Sequence, residues 1–126
     1  MRYLLLIYGA ENGAATQSEG EQRTMMDEYF QYTEALRSAG VMQGGEALQP
    51  TTTATTVVDD GGKPLVTDGP FAETREQLGG YTIIEADDLD DALAIASGFI
   101  GTQSLASIEV RPIQDFEGVP ATPERR

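Results

Sequence analysis

Val66-Thr67-Asp68-Gly69-Pro70-Phe71-Ala72-Glu73-Thr74-Arg75-Glu76-Gln77-Leu78-Gly79-Gly80-Tyr81 separates two apolar stretches, and its residues say how the chain passes from one to the other. Asp68-Gly69-Pro70 is turn chemistry. Asp can hydrogen-bond its own backbone, Gly tolerates positive φ, and Pro has φ set in advance and no N–H for a ladder. Phe71 follows the corner and is free to bury its ring, while Glu73 and Glu76 flank the opening of the next strand. Gly79-Gly80 permits positive φ or a close backbone approach.

Upstream of this corner the sequence reads as a β-hairpin. Thr51 to Val58 is a β-branched run of strand character, Asp59-Asp60-Gly61-Gly62 is a hairpin turn, and Lys63 to Thr67 returns. The adjacent Asp59 and Asp60 could hold a cation, but turn chemistry accounts for them. Further upstream, Val41 to Leu48 forms a short strand broken by Gly44-Gly45, a pattern expected of a bulge or a close approach. Arg2 to Tyr8 is a buried strand stopped at Gly9, and a polar loop follows. From about Glu21 a helix is expected, with Met25, Met26, Tyr29, Phe30, Thr33 and Leu36 on one face. Ser18, three residues before Glu21, resembles a capping box, and Gly40 falls just past the helix end. Met25, Tyr29 and Tyr32 could line a ligand pocket, although a stripe at this spacing is what a core face requires.

Downstream, Tyr81 to Glu85 alternates as a strand. Asp87-Asp88-Leu89-Asp90-Asp91 opens a second helix with Leu89, Ala92, Leu93, Ala96, Phe99 and Ile100 on its buried face, ended by Gly98 and Gly101. Four aspartates near a helix start suggest a metal cluster at first sight. At a helix start they have a simpler task, capping free N–H groups and complementing the helix dipole. Ser107 to Ile113 is the last strand, and residues 114–126 read as a loose C-terminal tail, leaving 1–113 as one domain.

Strand, helix, strand, hairpin, strand, helix, strand is the order of an α+β, ferredoxin-like split β-α-β domain with an inserted hairpin. Its helices cover one face of a mainly antiparallel sheet. The other face needs a cover, and two such sheets packed face to face supply one, so a homodimer is expected.

Composition limits the function classes. Eight Lys and Arg against 21 Asp and Glu give a formal net charge of −13, which repels nucleic acid and anionic membranes alike. No apolar run approaches the roughly 20 residues of a membrane span, and the first strand does not read as a signal peptide. The chain contains no cysteine and no histidine. Thiolate chemistry, a Ser-His-Asp triad and the commonest metal ligand are therefore excluded. A cytoplasmic protein with no metal and no cofactor is expected, and any catalysis falls to carboxylates, tyrosines, arginine or the backbone.

The segment Val66 to Tyr81 resembles the signature of the YCII-related family, in the subgroup named after its Asp-Gly-Pro-Phe motif. The resemblance extends to Tyr3-Leu4-Leu5-Leu6-Ile7-Tyr8, to Gly44-Gly45-Glu46-Ala47-Leu48-Gln49-Pro50 and to Ile108-Glu109-Val110-Arg111-Pro112-Ile113, nearly the whole chain apart from the tail. It implies a dimeric α/β barrel built from two ferredoxin-like halves. It also implies a structural motif formed by Asp68, Gly69, Pro70, Phe71, Gly79 and Gly80. Some relatives are enzymes, including a dehydrochlorinase of aromatic degradation, with a His–Asp pair proposed as active site. The equivalent places here fall near Thr24 and Ser38, so that chemistry does not carry over. Other relatives resemble accessory proteins of extracytoplasmic-function sigma factors.

Three functions follow as expectations. The first is a dimeric protein that binds a small molecule, or serves as an accessory, without chemistry of its own. The second is a lyase- or isomerase-like enzyme using Asp68, Glu73 or Glu76 as acid or base. The third is a regulatory partner of a sigma factor. Tyr8, Phe71, Tyr81 and Arg111 are the candidate ligand-binding residues, Arg111 because its guanidinium could hold an anion by a bidentate contact.

Overall fold

The structure is a computed structural model that describes residues 1–11, 18–101 and 107–116. Four strands make the main sheet: β1 (Arg2–Gly9), β2 (Met42–Ala47), β5 (Gln77–Glu85) and β6 (Ser107–Pro112). They lie in the order β2-β5-β1-β6 with every neighbouring pair antiparallel. Helices α1 (Glu19–Ser38) and α2 (Leu89–Ile100) connect them, and β3 (Thr55–Asp60) with β4 (Lys63–Asp68) forms a separate two-stranded sheet. This is the expected α+β domain, a split β-α-β connectivity with a hairpin inserted between β2 and β5.

Local chemistry sets the helix starts as anticipated. The Ser18 hydroxyl accepts a hydrogen bond from the Glu21 backbone N–H at 3.1 Å. At α2, Asp91 N–H donates to Oδ1 of the N-cap Asp88 at 2.9 Å, and Asp87 N–H, one residue before the cap, donates to Asp91 Oδ2 at 2.9 Å. One of the four aspartates, Asp88, thus satisfies an orphan donor of the first turn, and Asp91 ties down the residue before the cap. The hairpin turn is the two-residue loop Gly61-Gly62, with φ of 62° and 93° that side chains rarely adopt.

Alternation along β1 and β5 sends Tyr3, Leu5, Thr82 and Ile84 towards the helices, where Leu5, Ile84 and Phe99 are fully buried beside Ala86, Ala92 and Ala96. Each such large apolar side chain stabilises the fold by about 1.5–3 kcal/mol. Tyr29 and Tyr32 belong to this core, not to a pocket. Both pack on Phe99, the Tyr32 ring edge-on at 4.9 Å. The Tyr32 hydroxyl donates to the Ile95 carbonyl at 2.7 Å, and burial raises its pKa above the ordinary value.

Several local expectations are corrected. Thr51–Thr53 is a 3₁₀ turn and the strand starts at Thr55. The turn is closed by Thr53 N–H to the Pro50 carbonyl and Ala54 N–H to the Thr51 carbonyl, and a carboxylate anchors its first residue: Glu11 accepts from Thr51 N–H at 2.7 Å and from Thr51 Oγ1 at 2.8 Å. The strand expected from Tyr81 begins at Gln77, so Gly79-Gly80 lies inside it. A Cβ at Gly80 would stand 2.9 Å from the Glu46 carbonyl oxygen of the neighbouring strand, so close approach explains that glycine. Gly98 does not end α2 but lies within it, beneath the Tyr32 ring. On the helices, Met26, Phe30, Leu89, Leu93 and Ile100 are exposed, and Tyr32 and Ile95 turn inward in their place. Residues 117–126, most of the expected tail, lie outside the described residues.

Candidate functional site

Both helices pack on one sheet face, and no described element covers the other. The side chains on this open face follow from the same period-two alternation. Leu4, Leu6 and Tyr8 of β1 lie beside Tyr81 and Ile83 of β5, all half-buried by their neighbours. The register arranges them in rows. Glu46, Tyr81, Leu6 and Glu109 stand side by side across the four strands, and Gly44, Ile83, Leu4 and Arg111 form the next row. Residues opposite one another in such a ladder share a face and touch.

Charge on this face is graded along the strands. Arg2 lies on it beyond Leu4, opposite Glu85 and diagonal to Arg111. The Met1 amino group donates to Glu85 Oε1, so that carboxylate is already engaged. Arg111 Nε is 3.7 Å from Glu109 Oε2 in an exposed pair, a contact worth little that a ligand could displace. At the other end, Tyr8 lies opposite Ser107, whose hydroxyl is 3.3 Å from Glu76 Oε1. An apolar strip with two guanidinium groups at one end, and with Glu46 and Glu109 on the outer strands beside its middle, suits a small amphipathic anion: rings or alkyl groups against Leu4, Leu6 and Ile83, and a carboxylate at the arginines.

The sequence-derived candidates divide between two places. Tyr8, Tyr81 and Arg111 share the open face, and Glu76 reaches its Tyr8 end through Ser107. Asp68, Phe71 and Glu73 stand off the main sheet, at the hairpin base. Asp68 is the last residue of β4, exposed and paired across the ladder with Thr55. Glu73 is exposed in the connecting segment. Phe71 is not buried as anticipated but is 90 % exposed.

The Asp-Gly-Pro-Phe corner itself is a clamp. Gly69 has φ of 98°, its N–H donates to the Ala54 carbonyl at 2.8 Å, and its carbonyl accepts from Thr56 Oγ1 at 2.7 Å. Past the corner, Thr74 Oγ1 donates to the Glu76 carbonyl, and Gln77 Nε2 donates to the Thr74 carbonyl at 3.2 Å. Arg2 and Glu46 were missed by sequence reasoning. Strand alternation alone puts Arg2 on the side of Leu4 and Leu6, but nothing local says which face the helices leave bare.

Fold and open face together define an α+β protein of split β-α-β connectivity with one uncovered sheet surface. The chain belongs to the YCII-related family, whose domain profile matches residues 1–117. A Rhizobium meliloti (strain 1021) protein described as uncharacterized is 36 % identical over 114 residues, covering 90 % of this chain and 92 % of that one.

Proposed function

We propose that the protein is a homodimer, a dimeric α/β barrel closed by two opposed open faces, that binds a small amphipathic anion between them and performs no chemistry of its own. The observation that carries this reading is the open face: Leu4, Leu6, Tyr8, Tyr81 and Ile83 with Arg2 and Arg111 at one end. In a chain of net charge −13, two arginines beside one apolar strip favour an anionic ligand over a cationic one. A native mass spectrum tests it. A dimer carrying added mass is expected, and the Arg2→Gln/Arg111→Gln variant should remain dimeric and lose the adduct. A variant that keeps the adduct, or a wild-type chain that stays monomeric, refutes the reading.

One contact favours a second reading. Glu76 beside Ser107, at the Tyr8 end of the same face, could act as a general base in a lyase- or isomerase-like reaction, without Asp68 and Glu73, which stand off this face. Turnover of a bound ligand that disappears in Glu76→Gln, with the dimer intact, would select this reading over simple binding.

A further inference from the structure

The β3–β4 hairpin pairs with itself and with no strand of the main sheet. Val57 is opposite Val66 and Val58 is opposite Leu65, so each of its two faces carries an apolar pair. These four side chains are 47–63 % exposed, and Phe71 projects from the base. A hairpin with one face packed on a core and the other in water is apolar on one side only, and an isolated two-stranded ribbon is marginal in water. Yet this one is held firmly at its root. Gly69 is bonded to Ala54 and Thr56, and the Glu11 carboxylate takes two bonds from Thr51.

We propose that the hairpin is a docking arm for a second copy of this chain, extending the contact that the open sheet faces make; the inference rests on the dimer reading above. Area favours one copy gripping another. Covering the five side chains at about 60–120 Å² each removes roughly 500 Å² per protomer, short of the about 800 Å² that each partner contributes to a standard interface. The sheet face supplies the remainder. An isologous pair buries both surfaces in one association and makes every contact twice.

Charge distinguishes the occupant. The arm bears Asp59, Asp60 and Asp68 against Lys63. A basic foreign partner would be attracted and then weakened by salt. Two chains of net charge −13 repel, so apolar contact drives their association and screening strengthens it.

Sedimentation equilibrium of the full chain at low and high salt, with three proteins in parallel, tests the arm. Wild type is expected to dimerise more tightly as salt rises. Replacing Val57, Val58, Leu65 and Val66 together by Thr leaves the charge unchanged, puts a β-branched residue at every position and removes apolar surface. That variant should weaken the dimer by about tenfold or more with its circular dichroism unchanged. Hydrogen exchange of amides 55–68 in the wild type should slow as protein concentration rises through the dimer transition. A quadruple variant that dimerises like wild type, or hairpin exchange independent of concentration, overturns the arm. Ile83→Lys serves as the sheet-face control. If it dimerises like wild type, the sheet-face reading fails instead, and a monomeric wild type removes both.

Discussion

Substituting Gly98 by Ala tests the helix–helix seam directly, because the ordinary expectation has the opposite sign. In an exposed helix interior, Gly→Ala is stabilising by roughly 0.8–1 kcal/mol. At Gly98 a Cβ would overlap the Tyr32 hydroxyl and Cζ and lie 2.8 Å from Cε1. The ring has little freedom to yield. Its hydroxyl is bonded to the Ile95 carbonyl in the turn just before Gly98, and its edge packs on Phe99 just after it. Moving it forfeits a buried hydrogen bond of about 1 kcal/mol and an aromatic pair of similar worth, with overpacking strain of about 1–3 kcal/mol added. Subtracting the propensity gain leaves a net destabilisation of about 2–4 kcal/mol. Urea denaturation at fixed protein concentration, followed by circular dichroism, measures it. Gly20→Ala in the first turn of α1 is the control, because a Cβ there meets only Ser18 Oγ at 4.0 Å. That substitution should be neutral or slightly stabilising. Gly98→Ala matching the control in sign and size would refute the account of the seam.

Two further predictions concern buried polar groups. Thr82 is fully buried on the core face, and its hydroxyl has no hydrogen-bond partner among the described residues. Thr82→Val removes an unpaired donor at nearly constant volume and should raise stability by about 1 kcal/mol, read from the same urea transition; a loss would mean the hydroxyl is satisfied. Tyr32 has its pKa raised from 10.0 by burial, so the folded state favours the neutral phenol. The resulting stability is complete below pH 10 and is lost as pH rises through the folded-state value. Wild type should therefore lose more stability than Tyr32→Phe above that pH, and parallel alkaline unfolding profiles would contradict the assignment.

How much of this was legible depends on the distance over which each feature is decided. The hairpin turn at Gly61-Gly62, the caps at Ser18 and Asp88, and the strands β1, β4 and β6 rest on neighbouring residues, and the sequence stated them within a residue or two. The β2 bulge was readable too: the register shifts between Met42 and Gly44, beside the paired glycines. Thr51–Thr53 was misread because a β-branched run does not reveal that its backbone bonds turn back on Pro50 and Thr51, or that Glu11, forty residues away, takes both donors of Thr51. Gly98 looked like a helix end because only Tyr32, on another helix, gives it a packing role.

The candidate site was legible in part for the same reason. Alternation placed Tyr8 and Arg111 on strands, but the face they share is defined by where α1 and α2 do not pack. Likewise Phe71 reads as a residue to be buried, and its exposure is a property of the whole fold. What the amino-acid sequence determined alone was the class of fold, the element order, the turns and caps, and a net charge of −13, because these depend on local propensity and composition. Which apolar residues stay uncovered, which arginines gather beside them and why a helix carries a glycine were decided only in three dimensions, because through-space neighbours set burial, register and close approach.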